Sequence, residues 1–129
     1  MSDKTVVRTD EAPEPFQGAP YSQAIRFGDF VFVSGQLSLE HGHSELKAGD
    51  IREQTEQVFA NLRAILEESG SSLDKLVKTT VFLASLDDFQ GMNEVYARHV
   101  GDRPPARATV EVSRLPSGAL VEIEAIAHL

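Results

Sequence analysis

Two residue types in the C-terminal part of this 129-residue chain can do chemistry on a small acid. Arg107 follows Pro104-Pro105-Ala106 at the mouth of a strand. A guanidinium there can grip a planar carboxylate through two parallel hydrogen bonds. A surface arginine at a strand start is the plain alternative. Glu122 and Glu124 alternate with apolar residues through 120–127. A solvated strand face is the plain alternative for them. By period two, however, they share their face with Leu120 and Ile126. A carboxylate between those residues is partly buried, its pKa rises, and it suits general base work on water.

Other polar residues are weaker candidates. Tyr21 follows Pro20 in a loop and is either a packing residue or an aromatic lid. Asn93 lies on a helix, off its apolar stripe, where a plain exposed polar residue is the simpler reading. Ser34-Gly35 ends an apolar strand, and glycine there marks a bend or the close approach of another group. His41 and His43 form an H-x-H pair in a loop, but two ligands are not a zinc site and no third is evident. Ser117 beside Gly118 is turn chemistry rather than a nucleophile. No phosphate loop, dinucleotide fingerprint or nucleophile elbow occurs.

The elements that must position these residues follow from the pattern. Residues 4–8 form a short first strand, and residues 10–20, with three prolines, form a surface loop. Residues 24–27 and 30–33 are strands joined by a Gly28-Asp29 hairpin. The second is apolar on both faces and belongs inside the sheet. Residues 37–49 are a loop. Asp50 with Glu53 forms a capping box that starts a helix whose stripe is Val58, Leu62, Ile65 and Leu66, stopped at Ser69-Gly70. A turn or short helix at 73–76 leads to a strand at 77–83. A second helix spans roughly 88–100, with Phe89, Met92, Tyr96 and Val100 as its stripe. Strands at 106–112 and 120–127 flank a turn at 115–118.

The order βββ-α-β-α-ββ predicts a single α+β domain over residues 1–129, a sheet with two helices on one face. The uncovered face is too apolar to stay wet, so oligomerisation through the sheet is expected. A hairpin of the last two strands about Pro116-Ser117 would set Arg107 opposite about residue 126. Glu122 would then lie roughly four residues away, about 13 Å. One small substrate could hardly touch both within one chain, so a shared site would lie between subunits.

Bulk properties bound the function. A net charge of -8, from 12 basic and 20 acidic residues, repels phosphate backbones and makes nucleic acid and anionic membrane poor partners. The chain has no cysteine, which excludes disulfides, thiolate catalysis and Cys-bound zinc, and fits a reducing compartment. No stretch approaches the ~20 apolar residues of a membrane span. Met1-Ser2-Asp3-Lys4 leads into polar sequence with no apolar core of a secretory signal, so a cytoplasmic location is expected.

Three ordered blocks resemble the RidA/YjgF family over nearly the whole chain. They are Pro20-Tyr21-Ser22-Gln23-Ala24 with residues 28–36, residues 77–83 with Asp88-Phe89 and Met92-Asn93, and residues 105–112 with Leu115-Pro116 and 121–127. The resemblance implies a chorismate-mutase-like fold and a homotrimer with clefts between subunits. It implies a deaminase that hydrolyses 2-iminobutanoate and 2-iminopropanoate to 2-keto acids and ammonia without metal or organic cofactor. By that resemblance Arg107 binds the substrate carboxylate and Glu122 positions the attacking water. Tyr21, Ser34, Gly35, Asn93 and Thr109 would line the pocket. The family has also been described as endoribonucleases and translation inhibitors, and a ligand-sensing or chaperone-like trimer is a further alternative. Two departures stand out: Thr109 occupies a position where many members carry cysteine, leaving only a backbone role there, and Gly18-Ala19-Pro20-Tyr21 replaces the usual direct Gly-Pro-Tyr.

Overall fold

Alternating apolar residues and two helical stripes build a sheet with two helices on it, seen in a computed structural model that describes residues 3–129. Met1 and Ser2, where the reading against a secretory signal begins, lie outside the described residues. The elements are β1 (Thr5–Val7), β2 (Ala24–Phe27), β3 (Phe30–Gln36), α1 (Ile51–Glu68), β4 (Leu76–Leu83), α2 (Phe89–Val100), β5 (Ala106–Glu111) and β6 (Val121–His128). This is the order expected from the sequence.

Helix α1 starts where its chemistry dictates. The Asp50 side chain accepts from the Glu53 amide at 3.0 Å, and the Glu53 side chain accepts from the Asp50 amide at 3.4 Å. Such a reciprocal cap is worth about 1 kcal/mol. Its stripe of Val58, Leu62, Ile65 and Leu66 is fully buried, joined by Phe59. Gly70, at φ +89, turns the chain away at the other end. Gly91 lets α2 come close to α1, because a Cβ there would sit 2.7 Å from Ile51.

The six strands run in the order β1-β2-β3-β6-β4-β5. Strand β3 is interior, between β2 and β6, as its apolar character requires. The last two strands do not form a hairpin. Strand β5 pairs parallel with β4, and β6 pairs antiparallel with both β3 and β4. The reason is the α2 crossover: a strand that returns through a helix lands parallel to its predecessor. The 112–120 segment then carries the chain back over β4 into the sheet's centre. Arg107 is therefore level with Thr79, not with residue 126, and Glu122 is level with Phe82.

Pairing fixes the faces. Val31, Val33, Thr79, Val81, Leu83, Val121, Ile123 and Ala125 point to the helices and are buried. Val6, Phe27, Phe30, Phe32 and Val110 point the other way and are exposed. Among the described residues no helix is long and apolar enough to cross a membrane.

Candidate functional site

The β3–β6 ladder is interrupted where the chemistry is. Val33 pairs with Ala125 and Gln36 with Ile123, so β3 spends one residue more than β6 over this stretch. Ser34 and Gly35 form that bulge, a feature that re-aims side chains beside functional sites. Glu122 fills the space released. A Cβ on Gly35 would lie 2.0 Å from Glu122 Oε2, so with any other residue there the carboxylate would have to leave this position. The glycine thus marks both a bend and a close approach.

Glu122 is half-buried, and burial pushes its pKa above the ordinary carboxylate value, with a smaller push from the like charge of Glu124. Glu124 itself is exposed. The flanking apolar residues thus desolvate one carboxylate of the pair and leave the other wet.

A cleft of about 290 Å³ opens in front of Glu122, lined also by Phe16, Ala19, Tyr21, Ser34, Gly35, Leu37 and Pro116. The Ser34 hydroxyl donates to the Ser22 carbonyl at 2.6 Å, and the Phe16 amide donates to the Tyr21 hydroxyl at 2.6 Å. Two short turns contribute to its lining. Gln17 (φ 55) and Ser117 (φ 56) both sit in the left-handed region, each followed by a glycine at positive φ. Left-handed non-glycine residues cost about 1–3 kcal/mol and persist where the surroundings hold them.

The proline-rich loop that carries Phe16 and Tyr21 is tied down by Gln23, which is buried. Its Oε1 accepts from the Thr9 amide at 2.7 Å, and its Nε2 donates to the carbonyls of Thr9 and Pro13 at 3.0 and 2.8 Å. His41 Nδ1 lies 3.0 Å from the Ala12 carbonyl and 3.1 Å from Glu14, fastening the 37–49 loop to the same segment. The sequence reading gave no site role to Phe16, Gln23, Leu37 or Pro116, although Gln23 and Pro116 stand in the blocks that carry the family resemblance. Phe16, an aromatic residue among prolines and acids, left a further signal.

Arg107 belongs to a second cluster. On β5 it faces the helices, with its guanidinium carbon 4.6 Å from the Tyr96 ring centroid and 5.6 Å from that of Phe89. Among the described residues it makes no ion pair. A guanidinium held over two rings and lacking a carboxylate is poised for an anion. Tyr96 is itself fixed by a 2.7 Å hydrogen bond to Thr79.

Helix α2 departs from expectation in two places. Phe89 is 41% exposed rather than part of the core, because it turns toward Arg107. Asn93, four residues on, shares that face. It is not a plain exposed residue: its Oδ1 is buried without a partner among the described residues, as is Thr109 Oγ1.

The structure thus gathers Tyr21, Ser34, Gly35 and Glu122 in one cleft; Arg107 lies elsewhere, two residues before Thr109 on β5 and against Phe89 and Tyr96, between which Asn93 falls on α2. The structure does not unite the cleft with Arg107. Arg107 and Glu122 lie on opposite faces of the sheet, with β4 between their strands. They are offset by three residues along it, ~10 Å in each direction at usual strand spacings. The expected separation holds, through a different topology.

Against known proteins, residues 9–129 match the family model described as Endoribonuclease L-PSP. A RutC family protein from Pyrococcus abyssi is 52% identical over 125 residues, covering 97% of both chains. The 2-iminobutanoate/2-iminopropanoate deaminase of Dermatophagoides farinae is 39% identical over 126 residues, covering 98% of this chain and 97% of that one. The crystal structure of RidA from an Antarctic Psychrobacter superposes with a TM-score of 0.91 at 42% identity, over 97% of this chain and 99% of that one. With nearly its full length matched at such identities, this chain belongs to the RidA/YjgF family, the one described as endoribonuclease L-PSP.

Proposed function

We propose that this protein hydrolyses 2-imino acids, 2-iminobutanoate and 2-iminopropanoate among them, to 2-keto acids and ammonia. We further propose that it works as a homotrimer. Each site then joins the Glu122 cleft of one subunit to the Arg107 cluster of the next. One observation carries this reading: an unpaired guanidinium and a desolvated carboxylate, each in a prepared half-site, occupy opposite faces of one sheet. The uncovered apolar face supplies the drive for copies to meet. The name of the Dermatophagoides farinae relative supports the substrate class.

The chemistry balances with water as the only co-reactant. Arg107 clamps the substrate carboxylate, its plane steadied by the Phe89 and Tyr96 rings. Glu122, a stronger base than an ordinary carboxylate, takes a proton from water as the oxygen bonds to C2. The C=N electron pair moves to nitrogen, which takes the proton that Glu122 has just accepted. The tetrahedral carbinolamine then collapses: Glu122 takes the hydroxyl proton as the carbonyl forms, the C–N bond breaks, and that proton leaves with the ammonia. Orientation and general base catalysis suffice for a substrate already prone to hydrolysis. Tyr21, Ser34 and Gly35 line the water side of this site. Asn93 and Thr109 back Arg107, and because the Thr109 hydroxyl is sealed from solvent, the backbone is what that residue offers.

The test is a coupled assay. An amino acid oxidase or dehydratase generates the imine, and semicarbazide competes for it. The wild-type chain should suppress semicarbazone formation. Arg107→Ala should not, and Arg107→Lys, which keeps the charge but loses the fork, should lose at least about 100-fold, in the range that misplacement costs. No suppression by wild type across several imines, with 2-ketobutyrate still bound, would replace the enzyme by a binding protein.

A further inference from the structure

The cleft beside Glu122 is built for more carbon than a methyl or ethyl group. On the deaminase reading, C2 of the substrate sits at Glu122 and its carboxylate is taken by Arg107 across the seam. The substituent on C2 therefore runs into the rest of the 290 Å³ cleft. Six heavy atoms of 2-iminopropanoate displace at most about six waters, ~180 Å³ at ~30 Å³ each. Beyond Glu122 the walls are apolar: Phe16, Ala19, Leu37 and Pro116. Two polar groups nearby are partly engaged: the Ser34 hydroxyl proton is given to Ser22, and the Tyr21 hydroxyl oxygen accepts from the Phe16 amide of its own loop. Behind Leu37 stands a firm apolar floor, a small core of Leu37, Leu115 and Ala119 backed by Phe82 and Val112.

Phe16 decides the boundary. Phe16 also lines a neighbouring hollow of 330 Å³, together with Pro15, Leu39, Glu14, His43 and Ser44. Phe16 therefore stands between the Glu122 cleft and a second one whose lining includes charged and hydroxyl side chains. The left-handed Gln17 and the Gln23 clamp hold its loop in that place.

We propose that the preferred substrates are 2-imino acids with branched-aliphatic or benzyl substituents, and that Phe16 sets this preference. Each methylene buried against such walls is worth about fourfold. The imine from leucine, three carbons larger than that from alanine, should gain at least about tenfold in kcat/KM after incomplete burial.

The experiment compares imines generated from alanine, leucine and phenylalanine by an amino acid oxidase at matched flux, with semicarbazide as competitor. Wild type should favour the leucine and phenylalanine imines by about tenfold or more over alanine. Phe16→Ala should pull that ratio toward one, chiefly through KM, while its circular dichroism stays native. Phe16→Leu should recover part of the ratio. Equal wild-type rates on all three imines overturn this inference and leave the deaminase reading intact. A ratio unmoved by Phe16→Ala in folded protein removes Phe16 as its cause. No turnover of any imine overturns both.

Discussion

The two faces of the sheet are made from the same strands and finished in different ways. On the helix face, Val31, Val81, Val121 and Ile123 reach full burial under α1 and α2 within one chain. On the open face, Phe27, Phe30, Phe32 and Val110 remain between 42% and 50% exposed, although they are as apolar as their neighbours. Each face also carries one half of the chemistry: Arg107 lies on the helix side, Glu122 on the open side. The contrast teaches that patterning apolar residues on both sides of a strand specifies two tasks at once. One side folds the chain. The other, in the proposed trimer, brings a carboxylate clamp to a base that its own chain cannot supply.

The largest effect expected from separating these tasks is at Glu122. Glu122→Gln should cost 10²- to 10⁴-fold in kcat/KM, the usual worth of a positioned base. It should also raise the melting temperature at pH 7. The sign follows from the raised folded-state pKa. The contribution of Glu122 is fully present below the unfolded carboxylate pKa, where the group is neutral. It is lost as pH rises through the folded value, so at pH 7 the ionised folded form is penalised and a neutral isostere is not. A melting temperature that falls would show that the carboxylate stabilises the fold instead.

Next comes the helix face. Leu62→Ala, at a fully buried position, should cost about 2–5 kcal/mol in urea unfolding at fixed protein concentration. The open face should answer differently. Phe32→Glu should leave circular dichroism native yet yield monomers by sedimentation, with deamination lost along with assembly. A variant that still sediments as a trimer would show that this face is not the seam. The smallest effect is at the exposed neighbour. Glu124→Gln removes the lesser of the two causes that raise Glu122, so the acid limb of kcat/KM should move to lower pH. An unmoved limb would mean that the titrating group is not Glu122.

How much of this was legible in the sequence depended on range. The capping box at Asp50 and the α1 stripe were readable because both are local, set by contacts three or four residues apart. The half-burial of Glu122 was readable from Leu120 and Ile126, two and four residues away. The partner of β5 was not. Its pairing with β4 is decided by the α2 crossover, whereas a turn such as Leu115-Pro116-Ser117-Gly118 looks the same between paired strands and between strands that straddle a third. Phe89 and Asn93 were misjudged for a related reason. Helical period assigns a face, but Arg107, arriving from another strand, decides which residues of that face are covered and which receive a cation. The role of Gln23 was invisible because its partners are a backbone amide and carbonyls of a loop, and side-chain identity does not encode where those turn.

The contact between Gly35 and Glu122 also ties the two positions together in descent. Any side chain at position 35 occupies the room in which the carboxylate now lies, so a lineage that gains one must swing the acid out of this pocket, shorten it or discard it. The two sites should therefore vary as a pair. Restoring the acid alone in a descendant that has lost both would meet a blocked pocket, which makes loss of this base difficult to reverse one substitution at a time.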